Sequence, residues 1–152
     1  MFAGSLDSLH NGRKNLIKYL MSKKINLKLL GRNRHERIYD SEHNKACNCA
    51  KICLSHNAWP NIECSSSVRI YKIIASKSFC LEQYSKNMSN YLNNKLITYN
   101  TNDDCYNKII YYLNNEKERR KVVEESYKEV IENHKYIDRM KQVIVDINNL
   151  KI

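Results

Sequence analysis

Apolar positions along this 152-residue chain fall into short compact runs separated by segments of helical spacing, until about residue 101, after which only the helical spacing remains. Met1 to Ser5 reads as a short strand entering a glycine-containing turn, and Asn11-Gly12 precedes a helix with Leu16, Ile17, Leu20 and Met21 on one face. Ile25 to Leu30 alternates, then runs apolar until Gly31 stops it, which predicts a second strand. Arg32 to Asn44 carries few apolar residues and reads as a loop leading into a short helix near Lys45 to Ala50. Lys51 to Ser55 is a compact apolar run, and Pro60 beyond it cannot donate to a ladder, so a third strand ends there in a loop. Ile70, Ile73 and Ile74 give a helix opened by serines. Phe79 to Glu82 and Lys95 to Tyr99 then read as strands four and five, with at most a helical turn at Met88 to Leu92 between them.

Beyond Thr101 the pattern is helical throughout. Thr101-x-x-Asp104 has the form of a capping box, and Ile109, Tyr112 and Leu113 supply an apolar stripe. A second helix from near Glu116 carries Val123, Tyr127, Val130 and Ile131, and a third carries Ile137, Met140, Ile144 and Ile147. These stripes are expected to face the core or a neighbouring domain. Strands alternating with helices imply an α/β fold: a Rossmann-like, mainly parallel sheet of about five strands, helices on both faces, and a helical tail from Thr101 to Leu150. The length suits one domain and not two of enzyme size, so residues 1–152 are read as a single domain. In such a fold ligands sit at the carboxyl ends of the strands. The loop Gly4 to Gly12, the loop His56 to Ser67 and the region after Glu82 then share one rim.

Charge changes this picture little. The formal net charge of +10 suggests an anionic partner, but lysines are spread over every segment and the densest cluster, Lys117 to Lys121, is interrupted by Glu118 and followed by acids. The Lys, Asn, Ile and Tyr bias also fits an AT-rich coding sequence, which makes part of the charge compositional. No segment approaches the length of a membrane span, and the amino terminus lacks the pattern of a signal peptide, so a cytoplasmic location is expected. There the six cysteines are expected as reduced thiols. Cys47, Cys49, Cys53 and Cys64, near His43 and His56, form the one candidate metal cluster, but its C-x-C-x3-C spacing lacks a paired knuckle, and no metal site and no cofactor are assigned.

The candidate chemistry lies at Ser65-Ser66-Ser67-Val68-Arg69, where serines precede a helix whose positive end faces the strand termini. Two guanidinium groups, Arg13 and Arg69, with Ser65, Ser66 and Ser67, match the charge and acceptor geometry of a diphosphate. Lys72 lies one turn beyond Arg69 on the same face and supplies a further cation. A plain serine cap with solvent-facing arginines is the structural alternative. His56 and Asn57 sit at a strand's carboxyl end, Glu82 is expected to point into the crevice, and Tyr71 and Trp59 are candidates to stack on a base. No set of nucleophile, base and orienting group is present, so the catalytic residues are left unassigned.

The order of segments resembles the carboxyl-terminal domain of glycosyltransferases built from two Rossmann-like domains, the GT-B arrangement, and within them the CgeB-like, group 1 type. Phe2-Ala3-Gly4-Ser5 with Gly12-Arg13 is similar to the first-strand glycine loop, Leu29-Leu30-Gly31 to the second-strand ending, and Ala50 to Ser55 to the strand before the donor helix. Ser67 to Leu81 resembles the family signature, roughly x-x-R-x-F-E-x-x-A-x-G-x-F-x-L. Ile109 to Arg119 and His134-x-Tyr136-x-x-Arg139 resemble the closing helices. The resemblance implies that this domain holds a nucleotide-sugar donor while an amino-terminal domain, absent here, holds the acceptor, with nucleic acid disfavoured as a partner. Three departures stand out. Lys72 and Lys77 occupy the positions of the signature glutamate and glycine, Cys64 stands where related retaining enzymes carry a second glutamate, and Gly31 to Lys51 looks short for the strand-and-helix unit usual there. Isolated, such a half-enzyme is expected not to transfer sugar. Two other readings compete: a basic nucleic-acid-binding module, motivated by charge and eleven tyrosines, and a degenerate domain kept for protein association.

Overall fold

The computed structural model describes residues 1–6, 11–31, 37–57, 59, 61–63, 65–88 and 92–150. In chain order the elements are β1 (Phe2–Ala3), α1 (Asn11–Ser22), β2 (Leu29–Leu30), α2 (Asp40–Asn48), β3 (Cys53–Ser55), α3 (Arg69–Ala75), β4 (Cys80–Gln83), β5 (Ile97–Tyr99), α4 (Asn102–Asn114), α5 (Glu116–Asn133) and α6 (Tyr136–Asn149). The five strands form one sheet in the order β2-β1-β3-β4-β5 with every pairing parallel. This is the Rossmann-like α/β architecture expected from the alternating pattern, and it carries the expected helical carboxyl-terminal region.

Register explains which side chains are buried where. Leu29, Phe2, Leu54, Leu81 and Ile97 pair across all five strands and form one row. Side chains alternate between the two faces of a strand. The row therefore packs as a unit against α1 and α4, whose Leu16, Ile17, Leu20, Cys105 and Ile109 complete that half of the core. The intervening residues, Cys53 and Cys80, face the opposite side and meet Ile70, Ile73 and Ile74 of α3, Cys47 of α2 and Val130 of α5. By the same alternation Ser55 and Glu82, the next residues of that row, lie on the α3 face at the carboxyl end of the sheet.

The strands are shorter than their apolar patterns suggested: β2 keeps only Leu29–Leu30 of the Ile25 to Leu30 run, and β3 starts at Cys53 rather than Lys51. The helix before β3 runs over Asp40–Asn48 instead of beginning near Lys45. Its buried residues are His43 and Cys47, one turn apart, so its stripe is a single residue wide and too sparse to register as periodicity. Asp40 and Glu42 in its first turn favour the start electrostatically. Met88 and Leu92 are buried, and the turn expected between them falls partly outside the described residues.

Thr101 caps α4 as its pattern predicted, its hydroxyl accepting from the Asp104 N–H at 3.1 Å. The stripes of α4 and α5 bury Cys105, Ile109 and Val130. That of α6 does not: none of its residues is buried, and Tyr136, Ile137, Met140, Ile144 and Ile147 are all exposed. Among the described residues no helix is long and apolar enough to cross a membrane.

Candidate functional site

In the strand order 2-1-3-4-5 the chain reverses its direction of travel between β1 and β3, and ligands of such sheets bind outside the carboxyl ends of the strands at that point. A cleft of about 260 Å³ lies there, walled by Ala3, Gly4 and Ser5 after β1, Gly31 after β2, and Ser67, Arg69 and Lys72 at the start of α3. Gly31 has φ +68°, a left-handed conformation that a Cβ disfavours. Gly4 is there for space: a Cβ on it would sit 3.0 Å from Arg69 Nη2.

Three of the six candidate residues, Ser67, Arg69 and Lys72, thus line one cleft. The other three are placed differently. Arg13 is 6% exposed, and its terminal nitrogens donate to Ser5 O and His56 O, both at 2.9 Å, so it ties the loops after β1 and β3 together beneath the rim. Ser65 offers its carbonyl to Asn57 Nδ2 at 2.6 Å and to Ser85 Oγ at 2.8 Å. Ser66 opens on a separate groove of about 800 Å³ between α3 and the α5–α6 junction, walled by Tyr71, His134, Tyr136 and Ile137.

The serine cap takes an unexpected form. Val68 occupies the N-cap position and no side chain caps α3 there. Ser67 serves instead from one residue earlier, its Oγ accepting from the Arg69 N–H at 3.3 Å and its carbonyl from the Ile70 N–H at 3.1 Å, while the Lys72 N–H reaches Val68 O at 3.2 Å. These backbone amides are therefore engaged within the protein, and an anion in the cleft meets side chains: the Arg69 guanidinium, the Lys72 ammonium and the Ser67 hydroxyl.

Arg69 and Glu82 give the site its electrostatics. Glu82 is 0% exposed, and neither carboxyl oxygen has a hydrogen bond; Ser55 Oγ and Arg69 Nη1, buried nearby, lack one too. Burial pushes the Glu82 carboxyl up to about 7, against the pull of the Ser55 hydroxyl, Arg69 and Arg13. Burial likewise lowers the Arg69 pKa, with Glu82 as the main opposing influence. Both guanidiniums lie over the Phe2 ring, Arg13 at 5.6 Å and Arg69 at 5.7 Å from its centroid, so one ring attracts both cations. Glu82 was expected to point into the crevice; it is fully buried on the α3 face of the sheet and is not among the residues that wall the cleft.

Of the remaining candidates, His56 and Asn57 are buried, with His56 Nδ1 2.8 Å from Asn57 O, and Trp59 is exposed. Tyr71 packs on His134 with centroids 5.7 Å apart. The residues not anticipated in the cleft are Arg37, Ile38 and Tyr39, just before α2, and His43 within it. Gly31 and the acids Asp40 and Glu42 were the only signals of a turn and a helix start there. Cys47, Cys53, Cys80 and Cys105 are buried thiols and Cys49 an exposed one, while Cys64 lies outside the described residues. Among the described residues no three of His, Cys, Asp and Glu gather as a metal site would need.

A doubly wound parallel sheet with a cleft at its switch point places the chain among Rossmann-like α/β domains. A family model described as glycosyl transferase-like matches residues 13–144, and the chain belongs to that family. No curated protein and no solved structure matches the chain significantly.

Proposed function

We infer that the chain is the donor-binding half of a two-domain glycosyltransferase of the GT-B, CgeB-like kind, holding the diphosphate of a nucleotide sugar between Ser67, Arg69 and Lys72. The observation that carries this reading is the cleft itself: a half-buried arginine, Arg69, faces the switch point of the sheet in a chain of glycosyl transferase-like family. A partly desolvated guanidinium is a strong donor site for a phosphoryl group, because little water has to be displaced from it. The cleft's size also fits half a site. About 260 Å³ falls below the ~300–1,000 Å³ usual for a small-molecule pocket, so a nucleotide sugar needs a second wall.

That wall belongs, in this reading, to an acceptor-holding domain or partner protein in the cytoplasm. The exposed apolar side of α6 supports such a neighbour. Arg13 then acts through the loops it ties, Ser65 and Ser66 shape the entry to α3, and Lys72 replaces the family's glutamate with a charge that meets phosphate directly. Transfer by the chain alone is not expected, since closure of the cleft is what excludes water from the reacting sugar.

Calorimetric titration with a panel of nucleotide sugars tests the reading. Binding that weakens by about 1.5–3 kcal/mol in Arg69→Ala, on folded protein, is the expected result for loss of a charge-assisted hydrogen bond. Affinity indifferent to Arg69 would leave the chain with the fold of the family and another ligand site.

A further inference from the structure

The opposite end of the sheet carries a second cationic cavity that the donor reading does not use. It measures about 500 Å³ and lies at the amino ends of β3 and β4, lined by Lys51 before β3, Lys77 and Ser78 before β4, and Arg119, Arg120 and Glu124 of α5. Arg120 is paired with Glu116, Nε to Oε1 at 2.7 Å. Four cations against Glu116 and Glu124 leave the site with a net charge of +2.

Two features mark this cavity off from the surrounding surface charge. Arg119 is 8% exposed and donates from Nη1 to Tyr112 O at 2.6 Å, at the end of α4. Among the described residues that is the guanidinium's one hydrogen bond, and Arg119 lines the cavity. Lys77 is the second feature. It closes α3 in a Schellman turn, with the Lys77 N–H on Ile74 O at 2.9 Å and the Ser78 N–H on Ile73 O at 3.3 Å, and it has φ +52°. Glycine is the residue that fits this position, and the family signature has glycine there. Lys24 ends α1 with a left-handed φ of +58° as well; what sets Lys77 apart is that its side chain lines the cavity. Its ammonium stands 4.6 Å from the Tyr127 ring centroid, which fixes it beside the cavity.

We propose that this cavity binds a phosphomonoester anion, with Arg119 at its base and Lys51 and Lys77 as its rim. A phosphate dianion matches the net charge, the planar guanidinium offers donors matched to two phosphoryl oxygens, and the two ammonium groups neutralise the remaining charge. The cavity is within the size range of small-molecule sites and larger than phosphate alone requires, so a phosphorylated small molecule is the expected form. α3 connects this site to the donor cleft, with Arg69 at one end and Lys77 just past the other.

The test is titration of the full chain with inorganic phosphate and with a hexose 6-phosphate, read by calorimetry and amide chemical shifts. Lys77→Gly suits the left-handed turn and keeps the fold; Lys51→Glu lies on the surface. Each should weaken hexose-phosphate binding about tenfold, the loss of one charge-assisted contact. Arg69→Ala, in the donor cleft, should leave it unchanged, and so should Lys121→Ala on the exposed outer side of α5. Unchanged affinity in both cavity variants would overturn the proposal. So would an equal loss in Lys121→Ala, meaning a diffuse basic surface, or tight binding of a short RNA with no binding of either phosphate. Loss confined to Arg69→Ala would place phosphate in the donor cleft and overturn it as well, while leaving the donor reading standing.

Discussion

The two ends of the sheet handle positive charge in opposite ways. At the carboxyl rim Arg13 and Arg69 are withdrawn from water, stacked over one phenylalanine and set near a carboxylate that is itself fully buried. At the amino rim Lys51 and Arg120 stay hydrated around an open cavity, with only Arg119 buried beneath them. Charge held in water costs little and contributes little, because solvent screens it. Charge held out of water is expensive unless it is compensated. The carboxyl rim therefore bears a stability cost that the amino rim avoids, the kind of cost that sites of recognition incur.

The largest effect separating the rims is expected from Arg13. Its two hydrogen bonds hold the loops after β1 and β3 together in a buried setting, and Arg13→Ala should destabilise the fold by about 3–5 kcal/mol in chemical denaturation. Lys51→Ala at the other rim should stay within about 0.5 kcal/mol of the parent protein. Comparable losses at both ends would erase the contrast.

Glu82 gives the next largest effect, and its sign is definite. An acid whose folded pKa, about 7, exceeds its unfolded value takes up more protons folded than unfolded between pH ~4.5 and 7. Its contribution to stability is thus most favourable below that window and is lost as pH rises to 7. The loss is on the order of 3 kcal/mol. Glu82→Gln should flatten this slope and stabilise the protein at pH 8 by about 1–3 kcal/mol while changing little at pH 5, as read by urea denaturation at the two pH values. A slope that survives the substitution would assign it to other groups.

Smaller still is the effect of Lys72→Glu, which puts the glutamate of the signature that Ser67 to Leu81 resembles on an exposed turn of α3. Stability should change by less than about 0.5 kcal/mol. Nucleotide-sugar affinity should fall several-fold if the ammonium meets phosphate, as proposed; a rise, measured by calorimetry, would show that Lys72 is a loss rather than a replacement.

Much of this was legible in the chain, for reasons that differ by element. The compact runs around Leu54 and Leu81 announced buried parallel strands, and Thr101-x-x-Asp104 announced the start of α4, because each is a local pattern with a local cause. Of α2 only the end near Lys45 was legible, since two buried residues one turn apart, His43 and Cys47, make no visible period. In the cleft, Arg69 and Lys72 could be placed from their spacing on α3. The burial of Arg13 and Glu82 could not, because it depends on which strands lie side by side, and the Ser55–Glu82 neighbourhood exists only in the folded register. Lys77 was visible as a departure from the family signature, but its left-handed turn and the cavity beside it required the structure.

Amide chemical-shift mapping with a nucleoside diphosphate sugar tests the central claim most directly, because it reads both rims at once. The donor reading predicts concentration-dependent shifts at Gly4, Gly31, Ser67 and Arg69, with Lys51, Lys77 and Arg119 unmoved at the same concentrations. Shifts confined to the amino rim, or none anywhere at millimolar ligand, would contradict it.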